Sequence, residues 1–530
     1  MRSRLLLLTC LLCTWNAMAQ RHKAVPKPEV KDEVIYHIFQ RSFYDSNGDQ
    51  HGDLNGIRQK LDYLQQLGVT AILLTPLYDS PFYHNYFADD FKKIDPRYGT
   101  MQDYLALVKD LHKRGMKIYM DMETQYVTED HIWWYDGIDN LKSKYSDYIL
   151  YDDSAHTKPT SIVYGLDGLK GYDGIFKKIT TVNLNSPKVL EYNYHLFKFW
   201  MDPNNDGKFD DGVDGFRLDH MMDNLDNKGI LPHLFDTFWN PLFSRLRKVN
   251  PQVSFVAEQA NWGSFGVDYL TRGGVDRVFD FRLAYAIRSF KKSQIAAAAD
   301  STYILTPKGK QQVVFLENHD TPRFSYGMNN NLAKLKVGAA LNLLLGGVPS
   351  IYYGQELGMT GTSGKFGATD ANEIPDREAF EWYKSDKGTG MAYWYKLKGP
   401  WKEEFNNDKP NDGISLEEEE NNPNSLWYFY RGMIGFRKSY PVIITGSYKT
   451  LNNNNDDIYS FERYEGNTKV VVAVNLSGRS QDVSIQLTDK EKSMQNLEGN
   501  SRASLNADVD IQSTINLNMA PYDIEVWSVQ

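Results

Sequence analysis

A chain of 530 residues that is 41% hydrophobic and 24% charged has the makings of a large domain plus one or two smaller ones, and its composition excludes a disordered protein. The formal net charge of −9 speaks against a nucleic-acid partner, because phosphate binding needs a basic footprint. An acidic surface instead suits a neutral substrate or bound cations.

The first residues stand apart from the rest. Arg2 and Arg4 precede the apolar run Leu5 to Leu12, and Ala17-Met18-Ala19 has the small-x-small form of a cleavage site. Residues 1–19 therefore read as a signal peptide cleaved near Ala19, and the mature protein is expected to be secreted or periplasmic. The run is too short to span a bilayer, so no transmembrane segment is expected once the leader is removed. Cys10 and Cys13 are the only two cysteines, which leaves the mature chain without disulfides. Residues 20–32 are polar, with Pro26 and Pro28, and read as a tether.

Val34 to Phe39 is the first expected strand. The loop after it places Asp45, Asn47, Asp49, His51 and Asp53 at every second position, with Gly48 and Gly52 between them. Side-chain oxygens from the Asp and Asn residues and the His51 carbonyl would suit a calcium ion, which takes six to eight oxygens; the alternative is a solvated acidic turn. The loop is no EF-hand, because its sixth position is Gln50 and its twelfth Gly56. Leu54 to Leu67 has helical periodicity, Val69 to Thr75 is strand two, and Met116 to Asp121 is strand three. From residue 122 to 185 strand and helix stop alternating. Trp133 and Trp134 lie in this polar, aromatic stretch, either as a sugar-stacking platform or as the core of an insert.

Ser186-Pro187 opens a helix to about Trp200. Asp202, Asn204, Asp206, Lys208 and Asp210 then form a second calcium-like loop with Gly207 at its sharp turn. The run Gly212-Val213-Asp214-Gly215-Phe216 continues into Arg217, Asp219 and His220, as a buried strand would that carries charges at its C-terminal tip. A helix near Leu231 to Val249 follows. Strand five runs from Val253 into Glu258, strand six covers Val278 to Phe281, and strand seven runs from Val313 through Glu317, His319 and Asp320. Gly347 to Glu356 is strand eight, the Glu417 to Glu420 run is a solvated surface, and Leu426, Tyr430, Met433 and Ile434 mark a last amphipathic helix. From about residue 441, alternating runs such as Val470 to Val474 read as an antiparallel β-domain. Carboxylates at three strand tips are what a (β/α)8 barrel offers at its catalytic end.

With these motifs the chain resembles the α-amylase family of glycoside hydrolases, glycoside hydrolase family 13, over nearly all of its mature length. The resemblance implies a (β/α)8 TIM barrel built from residues 33–121 and 186–440, an irregular insert at 122–185, and a C-terminal antiparallel β-sandwich at 441–530. It implies Asp219 as nucleophile, Glu258 as general acid/base and Asp320 as the third carboxylate, with Tyr86, Arg217, His319 and Asp121 contacting the sugar. Acetal cleavage needs an acid for the leaving oxygen and a carboxylate for the oxocarbenium-like centre, and Arg217, two residues from Asp219 on the same strand face, favours the ionised nucleophile. The chain departs from the family's Asp-x-x-x-Asn-His pattern, reading Asp121-Met122-Glu123-Thr124-Gln125-Tyr126. Met222 and Asp223 stand where many endo-acting amylases carry Lys-His, so the motifs look closest to the neopullulanase and cyclomaltodextrinase-like group. The expected activity is retaining hydrolysis of α-glucosidic bonds, α-1,4 and possibly α-1,6, in starch-derived α-glucans or malto-oligosaccharides, with calcium as cofactor. A transglycosylase or isomerase of the same fold and a non-catalytic glucan binder are the alternatives.

Overall fold

The computed structural model describes residues 33–161, 165–385, 387–398, 407, 409–499, 502–507 and 512–530. The leader and tether expected at 1–32 lie outside the described residues.

Eight parallel strands close into a barrel. They are β1 (Ile35–Ile38), β2 (Ala71–Leu74), β3 (Lys117–Met122), β4 (Gly215–Met221), β5 (Ser254–Gln259), β6 (Arg277–Phe279), β7 (Gln311–Phe315) and β8 (Val348–Tyr352), and β8 pairs back onto β1. The expected (β/α)8 fold is therefore present. Because strand side chains alternate with a period of two, each strand feeds two different cores. Ile35, Leu73, Tyr119, Val256, Val313 and Phe315 fill the barrel interior. Their neighbours Tyr36, Ile72, Ile118, Phe255 and Val314 pack outward with the surrounding helices. The same parity sends Asp121 and Glu123 inward with Tyr119, Arg217 and Asp219 inward with Gly215, and Glu258 inward with Val256. Register then puts Arg217 level with Asp121 on β3 and Val256 on β5. The opposite end of the barrel is plugged by buried Glu33, which pairs with Lys117 Nζ at 2.5 Å and Arg277 Nη1 at 2.7 Å.

Several expected elements end early, each against a specific contact. Strand six stops at Phe279 because Asp280 accepts the Leu283 amide at 3.0 Å and caps the helix Phe281–Arg288. Strand seven stops at Phe315, where Glu317 turns to bond Arg323 and the Phe324 amide, so Asp320 sits on a turn rather than a strand tip. The helix expected at Leu54 to Leu67 is two, Leu54–Gln59 and Leu61–Leu67, meeting at Lys60, whose ammonium lies over the Tyr44 and Trp382 rings. Ahead of Asn240–Val249 the chain makes a π-turn, Phe235–Trp239.

Between β3 and the helix Pro187–Met201, the strands Tyr126–Thr128, Gly168–Lys170 and Phe176–Thr181 form a small sheet over the barrel mouth. Trp133 is fully buried there against His131, Tyr148 and Tyr192, and Trp134 is buried beside it. The two tryptophans are thus the core of the insert, not an exposed platform. After the helix Leu426–Ser439, a five-stranded and a three-stranded antiparallel sheet make the C-terminal domain. Its central strand Thr468–Asn475 is apolar on both faces. Val471 and Ala473 meet Ile485, Ile515 and Trp527 between the two sheets, and Val470, Val472 and Val474 join the main core.

Candidate active site

Arg217 is the centre of the barrel mouth. Its side chain is buried, and Nη1 donates to Asp121 Oδ2 at 2.6 Å and to Asp219 Oδ1 at 2.5 Å, while Nη2 lies 2.8 Å from Glu258 Oε2. Tyr86 extends the network from the loop after β2, donating its hydroxyl to Asp121 Oδ2 at 2.8 Å and lying 2.6 Å from His319 Nε2. Its ring stacks on the His319 imidazole at 5.5 Å and 18°. His319 Nε2 is also 3.0 Å from Asp320 Oδ2. All seven residues expected to bind or cleave substrate, Tyr86, Asp121, Arg217, Asp219, Glu258, His319 and Asp320, therefore belong to one hydrogen-bonded cluster. Tyr86, Asp219 and Asp320 line the open cleft above it, with His84, Phe87, Leu166 and Leu169 at its sides.

The carboxyls differ in their proton affinity for identifiable reasons. Burial raises Glu258 to about 7, opposed by Arg217 and reinforced by Asp219 and Asp320; its own contacts include the Trp262 indole at 3.2 Å. Burial also raises Asp219, and Arg217 is the main force holding it ionised. Asp121 is pushed up to about 7 by burial, with Arg217 again opposing. Asp320 goes the other way. Burial raises it, but the adjacent His319 and Arg377 more than reverse this and hold its carboxyl well below the usual range. Burial lowers His319, so at neutral pH the lasting cation beside Asp320 is Arg377, whose Nη2 donates to Oδ1 at 3.0 Å.

Three participants were not among the expected residues. Arg377 comes from the long excursion after β8, and also donates Nε to the His319 carbonyl at 2.8 Å. Gln125, which stands in place of the family's Asn, donates Nε2 to the Asp219 carbonyl at 2.7 Å and to the His220 carbonyl at 3.2 Å, tying β3 to the end of β4. Glu123 is buried and lines the same cleft. Its signal was its parity, two residues beyond Asp121 on an inward-facing strand; Arg377 had none. Tyr126, in place of the family's His, bonds Asp226, which lies 3.3 Å from His220 Nε2.

The two calcium-like loops lie outside this network. In the first, Asp45 accepts the backbone amides of Asn47, Gly48 and Gln50, Asn47 that of Asp49, and Asp49 that of His51. Asp53 caps the helix Leu54–Gln59 through the Gly56 amide at 2.7 Å. In the second, Asp202 and Asn204 accept the Asp206 amide, Lys208 Nζ meets Asp206 Oδ2 at 2.8 Å, and the Asp210 carbonyl lies 2.9 Å from His112 Nδ1. Here a buried oxygen without a partner is Oδ1 of Asp211, a residue outside the expected set. Among the described residues no three Asp, Glu, His or Cys side chains converge as ligands. Both donor sets consist of oxygens, and in that respect they fit a hard cation.

Comparison with known proteins agrees with this geometry. Residues 37–446 match the family model described as "Alpha amylase, catalytic domain". The chain is 29% identical over 472 residues to Alpha-amylase 3 of Dictyoglomus thermophilum, covering 85% of this chain and 86% of that one. It is 27% identical over 528 residues to the oligo-1,6-glucosidase of Parageobacillus thermoglucosidasius, covering 85% of this chain and 91% of the relative. Among solved structures, an α-amylase from H. orenii superposes with a TM-score of 0.77 at 28% identity, covering 94% of this chain and 100% of the other. With the family model matching well over half of its length and its barrel closing around the expected carboxyls, the chain belongs to the α-amylase family of glycoside hydrolases.

Proposed function

We propose that this glycoside hydrolase is a secreted, retaining enzyme that cleaves α-glucosidic bonds in starch-derived glucans or oligosaccharides. Asp219 attacks the anomeric carbon, Glu258 protonates the leaving oxygen and later activates water, and Asp320 and His319 hold hydroxyls of the same sugar. The observation that carries this reading is the closeness of the two reacting groups, which one guanidinium bridges: Arg217 Nη1 lies 2.5 Å from Asp219 Oδ1 and its Nη2 2.8 Å from Glu258 Oε2. An inverting pair stands roughly 6.5–9.5 Å apart to admit a water between its members. Tyr86 offers a ring to the C–H face of the sugar. The leader at residues 1–19, with cleavage near Ala19, supports export.

Calcium would be held by Asp45, Asn47, Asp49, Asp53 and the His51 carbonyl, and by Asp202, Asn204, Asp206, the Lys208 carbonyl and Asp210 or its neighbour Asp211. The ion would stiffen the two loops and takes no part in bond cleavage. The relatives named above act, by their names, as an α-amylase and as an oligo-1,6-glucosidase, so both linkages are candidates here. Incubation with soluble starch, pullulan, cyclodextrin and isomalto-oligosaccharides tests the reading. Release of reducing sugar from at least one supports hydrolysis and identifies the preferred linkage. Sugar transfer to added glucose without net hydrolysis would make the enzyme a transglycosylase or isomerase, and binding without turnover a glucan binder.

A further inference from the structure

Glu123 is a carboxyl that the cleavage reaction does not call for, placed against the one group that reaction cannot do without. It follows β3 on the inward-facing parity of Tyr119 and Asp121, is only 1% exposed, and lines the substrate cleft with Asp219. Backbone contacts fix it from both sides. Its amide donates to the Tyr78 hydroxyl at 3.0 Å, that hydroxyl donates to its carbonyl at 2.8 Å, and its Oε1 accepts the Gln125 amide. The other carboxyl oxygen, Oε2, is buried and meets no donor. The register of β3 on β4, with Asp121 level with Arg217 and Met122 level with Leu218, sets the Glu123 carboxyl beside that of Asp219, and both line the same cleft.

Two carboxylates approach this closely in a buried site only if one of them carries a proton, because two anions would repel and two acceptors cannot bond. The surroundings decide which one keeps it. Asp219 has Arg217 Nη1 at 2.5 Å. The principal charged neighbours of Glu123 are Asp219 and Asp121, both carboxyls, and burial likewise pushes Glu123 towards its neutral form. The proton therefore resides on Glu123.

Resting on the reading of Asp219 as the nucleophile, we propose that Glu123 is a positioning residue for it: its carboxylic acid donates a hydrogen bond to the Asp219 carboxylate and holds it beside Arg217, oriented for attack. As the glycosyl-enzyme forms, an Asp219 oxygen bonds the anomeric carbon, the bond to the leaving oxygen breaks, and that oxygen takes its proton from Glu258. Glu123 keeps its own proton throughout, so the step needs no further acid or base. The hydrogen bond also stabilises ionised Asp219, on which Arg217 and His220 act as positive partners and Asp121, Glu123, Glu258 and Asp320 as carboxyl neighbours, with Tyr78, Tyr86 and Tyr126 around them. Asp219 is thus supported from one side by a guanidinium and from the other by a neutral acid.

The test compares Glu123→Gln with Glu123→Leu, using kcat and KM over the pH range on the best substrate. Gln keeps a donor of the same shape, and Leu keeps the volume without one. The Gln variant is expected within about threefold of the natural enzyme at its optimum, with an unmoved acid limb. The Leu variant is expected to lose at least about tenfold in kcat with little change in KM, and its acid limb to rise by about one pH unit, as the Asp219 carboxylate loses a charge-assisted bond. Equal losses in the two variants with no movement of the acid limb, or full activity in the Leu variant, would overturn the proposal. Glu123→Met serves as the donor-free variant if the Leu chain does not fold. Labelling with 5-fluoro-α-glucosyl fluoride followed by peptide mass mapping tells a failure at Glu123 from a failure at the nucleophile. A sugar on Asp219 leaves the role of Glu123 to be decided by the variants, and a sugar on any other residue removes the reading on which the proposal rests.

Discussion

Arg217 faces three carboxyls with one positive charge, through Nη1 to Asp121 and Asp219 and through Nη2 to Glu258. One cation cannot keep three buried carboxyls ionised, so protons stay in the cluster at neutral pH, and Glu258, pushed up to about 7, is a fitting holder of the catalytic one. If Glu258 is the acid, as proposed, it must be protonated to act, and kcat/KM is expected to fall as pH rises through about 7. In Glu258→Gln that alkaline limb should vanish, and hydrolysis of unactivated glucans should drop on the order of 10²–10⁴-fold. A variant that kept the natural rate and the natural limb would assign the acid role elsewhere. At this scale the sequence was legible wherever charge interrupts an apolar run, as at Arg217, Asp219 and Glu258. Arg377 was not, since it arrives from a polar excursion in which an Asp-Arg-Glu triplet looks like any solvated turn. Glu123 had its parity as a signal but no visible partner, because Asp219 is 96 residues away in the chain and only the register of β3 on β4 brings them together.

The elements that carry these residues are joined by buried polar ties whose protonation shapes stability. Glu356, in the turn after β8, accepts the Tyr36 hydroxyl from β1 at 2.5 Å and the Tyr63 hydroxyl from the helix Leu61–Leu67, while its Oε2 is buried without a partner. Burial raises it from an ordinary 4.5 to about 7, the two tyrosines opposing. The folded state therefore holds a proton that the unfolded chain releases more readily. Its contribution to stability is fully present below about 4.5 and is lost as pH rises through about 7. Glu356→Gln removes this titration. Measured against the natural enzyme by thermal melting, the variant should gain by roughly 2–6 °C on going from pH 5 to pH 8. A difference that stays constant with pH would mean that Glu356 is ionised throughout. Strand cores were readable in the sequence as short apolar runs, but their ends were not. Strand six stops for the Asp280 cap, which apolar residues continuing to Phe281 mask, and strand seven for the Glu317 turn, whose bonds to Arg323 and the Phe324 amide follow no helix or strand period.

For the whole molecule, the division into a closed barrel, an insert over its mouth and a C-terminal β-domain follows from where alternation of strands and helices begins, stops and turns into alternation of single residues. The roles of Trp133 and Trp134 needed the fold, because an aromatic pair has the same composition in a core as on a sugar platform. The two oxygen-rich loops bear on the molecule as a unit, one leading from β1 into its first helix and the other leading into β4. If they bind calcium, as proposed, chelation should lower the melting temperature by roughly 5 °C or more, since a ligand present at a hundredfold over its dissociation constant contributes about 2.7 kcal/mol. A melting temperature unchanged in EDTA would count against both loops.

Double displacement at Asp219, as proposed, would fix the stereochemistry of the product, and the anomeric form of the first sugar released is the measurement that decides it. Hydrolysis of a maltooligosaccharide followed by proton NMR from the earliest minutes should show the α-anomer of the newly formed reducing end, with the β-anomer growing in later by mutarotation. The β-anomer appearing first would contradict retention, and with it the roles given to Asp219 and Glu258.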